Sequence, residues 1–422
     1  MTPFLVLACA EPESHVIAPD GPRVVDEPAD TAAEVVEGRD SATETVEDVG
    51  SQDTTDLDAV VFDDTIVHRV EIELEADATA ALDADPYEWV PGTITYDGVE
   101  LKHVGVRLRG KIGSYRTLSG KPKFKIGFNE YNRDQRLYGL EEISLNNSVV
   151  DCSYLKEPMA WKVFEQLGVP HLRTAFAWVW VNGTSYGLYQ VVETPNDVWL
   201  DRHWEDGSGN FYDGKYVWYG GYSYTLLDFG IGVDGLFQLE EGTDVGNADV
   251  VAVSDALLAS KGTADYYAAM DTVLDWEAFH RMVVGEVLVG HLDGYSMNTN
   301  NFRVYFDPAD GRAHVVPWDM DYTFLEDWQW GMNWRTPRGQ ITAWCYADDT
   351  CRAAQADAFE AHLGALDTDA LLAEFDALAD LTYDATQLDP RRECAATDVA
   401  GSRTTVRDWI AGRVALLRAA GM

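Results

Sequence analysis

Apolar residues between Thr65 and about Gly187 recur in short alternating or β-branched runs: Val67 to Leu74, Thr93 to Tyr96, Val104 to Leu108 and Phe124 to Phe128. Asp-Gly and glycine-rich turns close these runs, and the combination predicts strands. One helix breaks the series. Leu155, Met159, Val163, Phe164 and Leu167 recur at helical spacing after the capping residues Asp151 and Ser153, and Gly168 and Pro170 stop the run. Strands resume at Thr174 to Val181, turn at Asn182-Gly183 and return through Tyr186 to Val192, a hairpin signature. Beyond Glu193-Thr-Pro195 the pattern turns to helices and loops: Asp197 to His203, Val250 to Leu258, Ala264 to Val273, and Trp276 to Val289, which is apolar enough to be buried. A second hairpin reads from Phe302 to Phe306, through the turn Asp307 to Gly311, and back from Ala313 to Val316. From Ala353 to Leu417 the pattern is almost wholly helical. The pattern therefore divides into a strand-rich stretch with one main helix, 61–192, and a mostly helical one, 193–422.

Composition changes this picture at the N-terminus. From Ala10 to about Ala59 the chain is rich in Glu, Asp, Thr, Ala, Val and Ser with no sustained period, so 10–60 is expected to be an acidic disordered linker. Residues 1–9 end in Val6-Leu7-Ala8-Cys9, which is similar to a bacterial lipobox behind a truncated signal segment. Lipidation at Cys9 would make the protein an outer-surface or periplasmic lipoprotein; without it the expectation is a secreted protein. Of 422 residues 46% are apolar, ample for a core, and the formal charge of −41 excludes a generic nucleic-acid binder by repulsion. Cys152, Cys345, Cys351 and Cys394 remain, and their spacing favours one disulfide, between Cys345 and Cys351.

Candidate chemistry lies between His291 and Phe324. His291, Asp293 and Asn298 reproduce the spacing H-x-D-x-x-x-x-N, and the second hairpin then carries the chain to Asp319 and Asp321. Phosphoryl transfer asks for this set: one carboxylate to orient and deprotonate a hydroxyl, and further oxygen atoms to hold Mg²⁺ on the nucleotide phosphates. With the element order, it predicts an α+β, bilobal protein-kinase-like fold with a strand-rich N-lobe and a mostly helical C-lobe.

Several stretches together resemble the CotH family of spore-coat-type atypical protein kinases. They are Val104-Gly-Val-Arg-Leu-Arg-Gly110, Gly120-Lys-Pro-Lys-Phe-Lys-Ile-Gly-Phe128, Leu145-Asn-Asn147, Asp151-Cys-Ser-Tyr-Leu-Lys-Glu157, Val181-Asn-Gly183, Tyr186-Gly-Leu-Tyr189 with Glu193, Asn300-Asn301, and Pro317-Trp-Asp-Met-Asp-Tyr-Thr-Phe324. The resemblance spans about 65 to 325 and implies ATP and a divalent metal, Mg²⁺ or Mn²⁺, as cofactors, and Ser or Thr hydroxyls of a surface or coat protein as substrate.

Alternation in Lys123 to Phe128 sends Phe124, Ile126 and Phe128 inward and turns Lys123 and Lys125 to the other face. Lys125 is the expected cation on the phosphates, with Lys121 in reserve, and Glu157 its partner carboxylate. Arg107 and Arg109 share a strand face and would cover phosphates or pair with carboxylates, and Glu193 would serve the adenine edge or cap the hinge. Asp293 is the expected base, Asn298 and Asn301 the metal amides, and Asp321 the main metal carboxylate with Asp319 in reserve. Trp318, Trp328, Trp330 and Trp334 would form a substrate-side platform or pack against helices. The strand-rich stretch 61–192 contains no G-x-G-x-x-G, which leaves the phosphate lid unassigned. Two other functions fit the same residues: a non-catalytic surface protein for adhesion or coat assembly, and a kinase of an envelope small molecule or glycan.

Overall fold

The computed structural model describes residues 58–422 except 112, 215, 216, 220, 221, 225, 226 and 422. Cys9 and nearly all of the expected linker lie outside the described residues.

Seven strands form a closed barrel: β1 (Val67–Glu73), β2 (Val90–Tyr96), β3 (Val99–Arg109), β4 (Lys123–Gly127), β5 (Glu142–Asn146), β6 (Thr174–Val181) and β7 (Thr184–Glu193). Neighbours pair antiparallel in the order β1-β2-β3-β4-β5-β7-β6, and a parallel β1–β6 pair, Val67 opposite Phe176, closes the ring. Val70, Ile72, Ile94, Val106, Phe124, Ile126, Ile143 and Leu145 fill the interior, as the period of two dictates. Arg107 faces Lys125 across the β3–β4 register, and Arg109 faces Lys123. These four cations share the outer wall.

Helix α1 (Ala76–Ala84) follows β1 and was not read from the sequence; among its residues only Ala78 and Leu82 are buried, too few to show a period. Helix α2 (Lys156–Gln166) begins three residues later than the sequence suggests. Asp151 and Ser153 do serve its first turn: Asp151 Oδ2 accepts from Lys156 N at 2.9 Å, and Ser153 Oγ from Leu155 N at 3.0 Å. The apolar face of α2, with Leu155, Met159, Val163, Phe164 and Leu167, joins the core of the helical half, not that of the barrel.

After α3 (Asp197–His203) come β8 (Asn210–Gly214), the short pair β9 (Val217–Tyr219) and β10 (Tyr222–Tyr224), and β11 (Phe237–Glu241). Helices α4 (Ala248–Ser260), α5 (Tyr266–Met270) and α6 (Trp276–Val289) lead to the hairpin β12 (Phe302–Phe306) and β13 (Ala313–Pro317). The hairpin does not stand alone: it joins a four-stranded sheet in the order β11-β8-β12-β13. The stretch expected as helix and loop thus supplies two strands of this sheet and a separate two-stranded pair. Helices α7 (Gln340–Ala347), α8 (Asp349–Ala365), α9 (Thr368–Leu381), α10 (Tyr383–Leu388) and α11 (Ala396–Ala419) complete the chain. The architecture is mixed α+β. Cys345–Cys351 is bridged as expected, and a second disulfide joins Cys152 to Cys394 across 242 residues of sequence. Spacing alone gave no signal for that pairing.

Candidate phosphotransfer site

The site is assembled where the barrel wall meets the end of the second hairpin. Lys123, first residue of β4, places its Nζ 3.1 Å from Asp321 Oδ2, with side chains only 4% and 11% exposed. Asp321 sits in the 3₁₀ turn Met320–Tyr322, against which α2 packs. Glu157, in the first turn of α2, is buried and accepts from Asn146 Nδ2 at 2.6 Å. Lys123, Asn146, Glu157 and Asp321 line one small cavity.

The lysine in contact with the carboxylates is therefore Lys123. Lys125 lies on the same face but is ion-paired with Glu142 at 2.8 Å, so the expectation for Lys125 is corrected by one pleat. Lys121, the reserve, is occupied elsewhere: it is buried against Asp389 at 2.5 Å. Arg109 turns towards the cluster, donating to Ser144 Oγ at 2.5 Å and standing 5.6 Å from the Trp318 ring centre. Arg107 points away over Trp89, 4.6 Å from its ring centre. Glu193 is held by Arg173 and Arg202, each at 2.6 Å, so this buried carboxylate is engaged by protein cations.

The hairpin returns the second acidic end to the first. Asp293 Oδ1 accepts from Asn298 Nδ2 at 2.6 Å, and Oδ2 accepts from Asn300 at 2.9 Å and Asn301 at 3.1 Å. Asn301 also donates to the Asp319 carbonyl at 3.3 Å, bridging the segments. His291, fully buried, donates from Nε2 to the same carbonyl at 3.1 Å. Burial depresses its imidazole to about 4, so it is a neutral strut. Glu286 of α6 accepts from Tyr295 N at 2.7 Å and Ser296 N at 3.0 Å, fixing the loop from behind.

Electrostatics separate the carboxylates. Burial, then the Asp319 charge, pushes Asp321 up to about 7; the same two causes push Glu157 up to about 7. Burial opposes ionisation of Asp319 too, but the Lys123 and Arg109 charges outweigh it and hold this carboxyl below the usual range. Burial raises Asp293 to about 6, against the Asn298 and Asn300 hydrogen bonds. Asp319 has φ +44° and a buried Oδ1 with no hydrogen-bond partner among the described residues. A strained carboxylate held below the usual range, with one buried oxygen open and a second carboxylate hydrogen-bonded beside it, is a cation-ready arrangement.

Of the tryptophans, Trp334 is buried, Trp330 packs 5.2 Å from Tyr322, Trp318 stands under Arg303 at 4.3 Å, and Trp328 is 71% exposed. They do not form one platform. Sequence reasoning missed Asn146, Asn300 and the role of Lys123. The first two lay inside the stretches that carry the family resemblance, which was their available signal.

The family model described as CotH kinase protein matches residues 106–417. "Inner spore coat protein H" of Bacillus subtilis is 23% identical over 198 residues, covering 45% of this chain and 51% of the relative. "Invasin CotH2" of Rhizopus delemar is 22% identical over 290 residues, covering 63% of this chain and 46% of the relative. The chain thus spans about half the length of these curated relatives. A solved HipA–HipB–operator DNA complex from Shewanella oneidensis aligns at 13% identity and TM-score 0.32, covering 82% of this chain and 71% of that one, too low to carry an argument.

Proposed function

We propose, from the premise that the chain belongs to the CotH kinase protein family, that it is an ATP- and divalent-metal-dependent kinase of Ser or Thr hydroxyls on exported or surface proteins. The observation that carries this reading is the cluster of Lys123, Glu157 and Asp321 about one cavity, to which Asn301 ties the amide-braced Asp293 through the Asp319 carbonyl. In this reading the barrel and the helical half are the two lobes of a kinase-like fold, meeting at the Lys123–Asp321 contact.

The donor set suits a hard cation. Asp319 and Asp321 offer carboxylate oxygens, the unpartnered Asp319 Oδ1 among them, and Asn298 and Asn301 offer amide oxygens. Oxygen-only sets of this kind suit hard divalent cations, Mg²⁺ and Mn²⁺ among them. Such an ion would neutralise charge on the nucleotide phosphates. The chain's own residues supply the rest. Lys123, a buried cation held by Asp321, would pair with phosphate oxygens; Glu157 would hold the ammonium in place. Asp293, its two oxygens fixed by three amides, would align the acceptor hydroxyl and take its proton.

The relatives' names, a spore coat protein and an invasin, support an exported setting for this chain as well. No described helix is long and apolar enough to cross a membrane. Incubation of the protein with γ-labelled ATP and Mg²⁺ or Mn²⁺, beside Asp293→Ala and Asp321→Ala, tests the reading. Label on protein Ser or Thr that both variants lose by about 100-fold or more is expected. Equal, negligible transfer by all three would overturn it.

A further inference from the structure

Residues 389–394, between α10 and α11, run back along the barrel. Asp389 and Lys121 form an ion pair at 2.5 Å with side chains 0% and 1% exposed. The same Oδ2 accepts from Tyr154 OH at 3.1 Å and from Leu188 N at 3.3 Å, while Oδ1 accepts from Arg391 N at 2.9 Å. Gly187 makes the room: a Cβ there would stand 1.9 Å from Asp389 Oδ1. Arg391 donates to the carbonyls of Leu118 and Gly120, Glu393 accepts from Arg116 at 2.5 and 2.6 Å, and Cys394 is bonded to Cys152. One six-residue strap thus grips 116–121, which leads into Lys123, and 152–154, which leads into Glu157.

Stability does not account for the central pair. Removing two charges from water costs about as much as their attraction returns, and apolar residues of similar volume would hold the fold equally well. What the pair supplies is direction: an ammonium and a phenol converge on one oxygen, fixing residue 121 against residue 154. Lys123 follows two residues after the first, and Glu157 three after the second. Small errors of placement are costly in phosphoryl transfer, where catalysis is mainly positioning.

We propose that Asp389 is a positioning residue of the site: it sets the spacing of Lys123 and Glu157, with the Cys152–Cys394 bridge as the covalent half of the same clamp. Its consequence for turnover rests on the kinase reading; the clamp itself does not. Two variants of the full, oxidised chain test it, Asp389→Asn and the charge-free pair Lys121→Met with Asp389→Leu. Amide exchange in Lys123–Gly127 and at 153–157 is expected to quicken about tenfold or more while α4 is unchanged, and kcat to fall about tenfold with KM for ATP nearly constant. Unchanged exchange in those segments overturns the proposal, as does quickening shared equally by α4. Local quickening with unaltered kcat overturns the positioning role. A wild type that transfers no phosphoryl group sinks the kinase reading instead, and exchange alone then decides the clamp.

Discussion

Two lysines on one strand face meet different fates. Alternation along β4 was legible and put Lys123 and Lys125 outside the barrel together, but nothing local distinguishes them. The deciding contact is with Asp321, 198 residues further on, and that approach depends on how the second hairpin docks. Lys123→Met is expected to lower phosphoryl transfer about 100-fold or more, since it removes a buried cation from the reacting phosphates. Lys125→Met, which removes the partner of Glu142 and no contact of Asp321, is expected to cost less than about tenfold. Steady-state rates of both variants check the assignment, and the reverse order would return the role to Lys125. By contrast, Asp293, Asn298, Asp319 and Asp321 were legible because they lie within one short stretch, where chain connectivity limits how far apart they fold.

Helices α2 and α6 carry Glu157 and the loop of Asp293, so their packing sets the site. A Cβ on Gly285 of α6 would stand 2.2 Å from Phe164 Cε1 of α2. Gly285→Ala is therefore expected to cost about 1–3 kcal/mol through overpacking, read by urea unfolding, with Phe164→Leu restoring part of it. Glu286, behind the loop, is raised by burial from the ordinary 4.5 to about 7. The folded protein holds this proton more tightly than the unfolded chain, so the contribution is complete below the unfolded value and is lost as pH rises through about 7. Replacement by Gln removes that dependence. The stability difference between wild type and Glu286→Gln is expected to change by on the order of 3 kcal/mol between about pH 4.5 and 7.5, in the direction that favours the variant at higher pH. Parallel curves would contradict it. The existence of both helices was legible from their 3.6 period. The β8 and β11 strands were not, because Asn210–Gly214 and Phe237–Glu241 are five residues each and are held by pairing with the distant hairpin.

At the scale of the molecule, the division into strand-rich and helical halves was legible, but closure of the barrel was not. The β1–β6 pair sets Val67 opposite Phe176, and such long-range parallel register leaves no local mark in a sequence. Charge was legible and has a consequence: with −41 formal charges, self-repulsion works against the compact state. Screening from about 10 mM to about 150 mM NaCl shortens the Debye length from about 30 to about 8 Å, so Tm by calorimetry is expected to rise by a few degrees; a fall would contradict this. The central claim, that carboxylates after the hairpin and a lysine of the barrel wall grip one metal–nucleotide complex, has a direct test in calorimetric titration of Mn²⁺–ATP into wild type and Asp321→Asn. Saturable binding by wild type, weakened about tenfold or more in the variant, is the expected result. Equal affinity in the two proteins, or no binding by wild type, would contradict it.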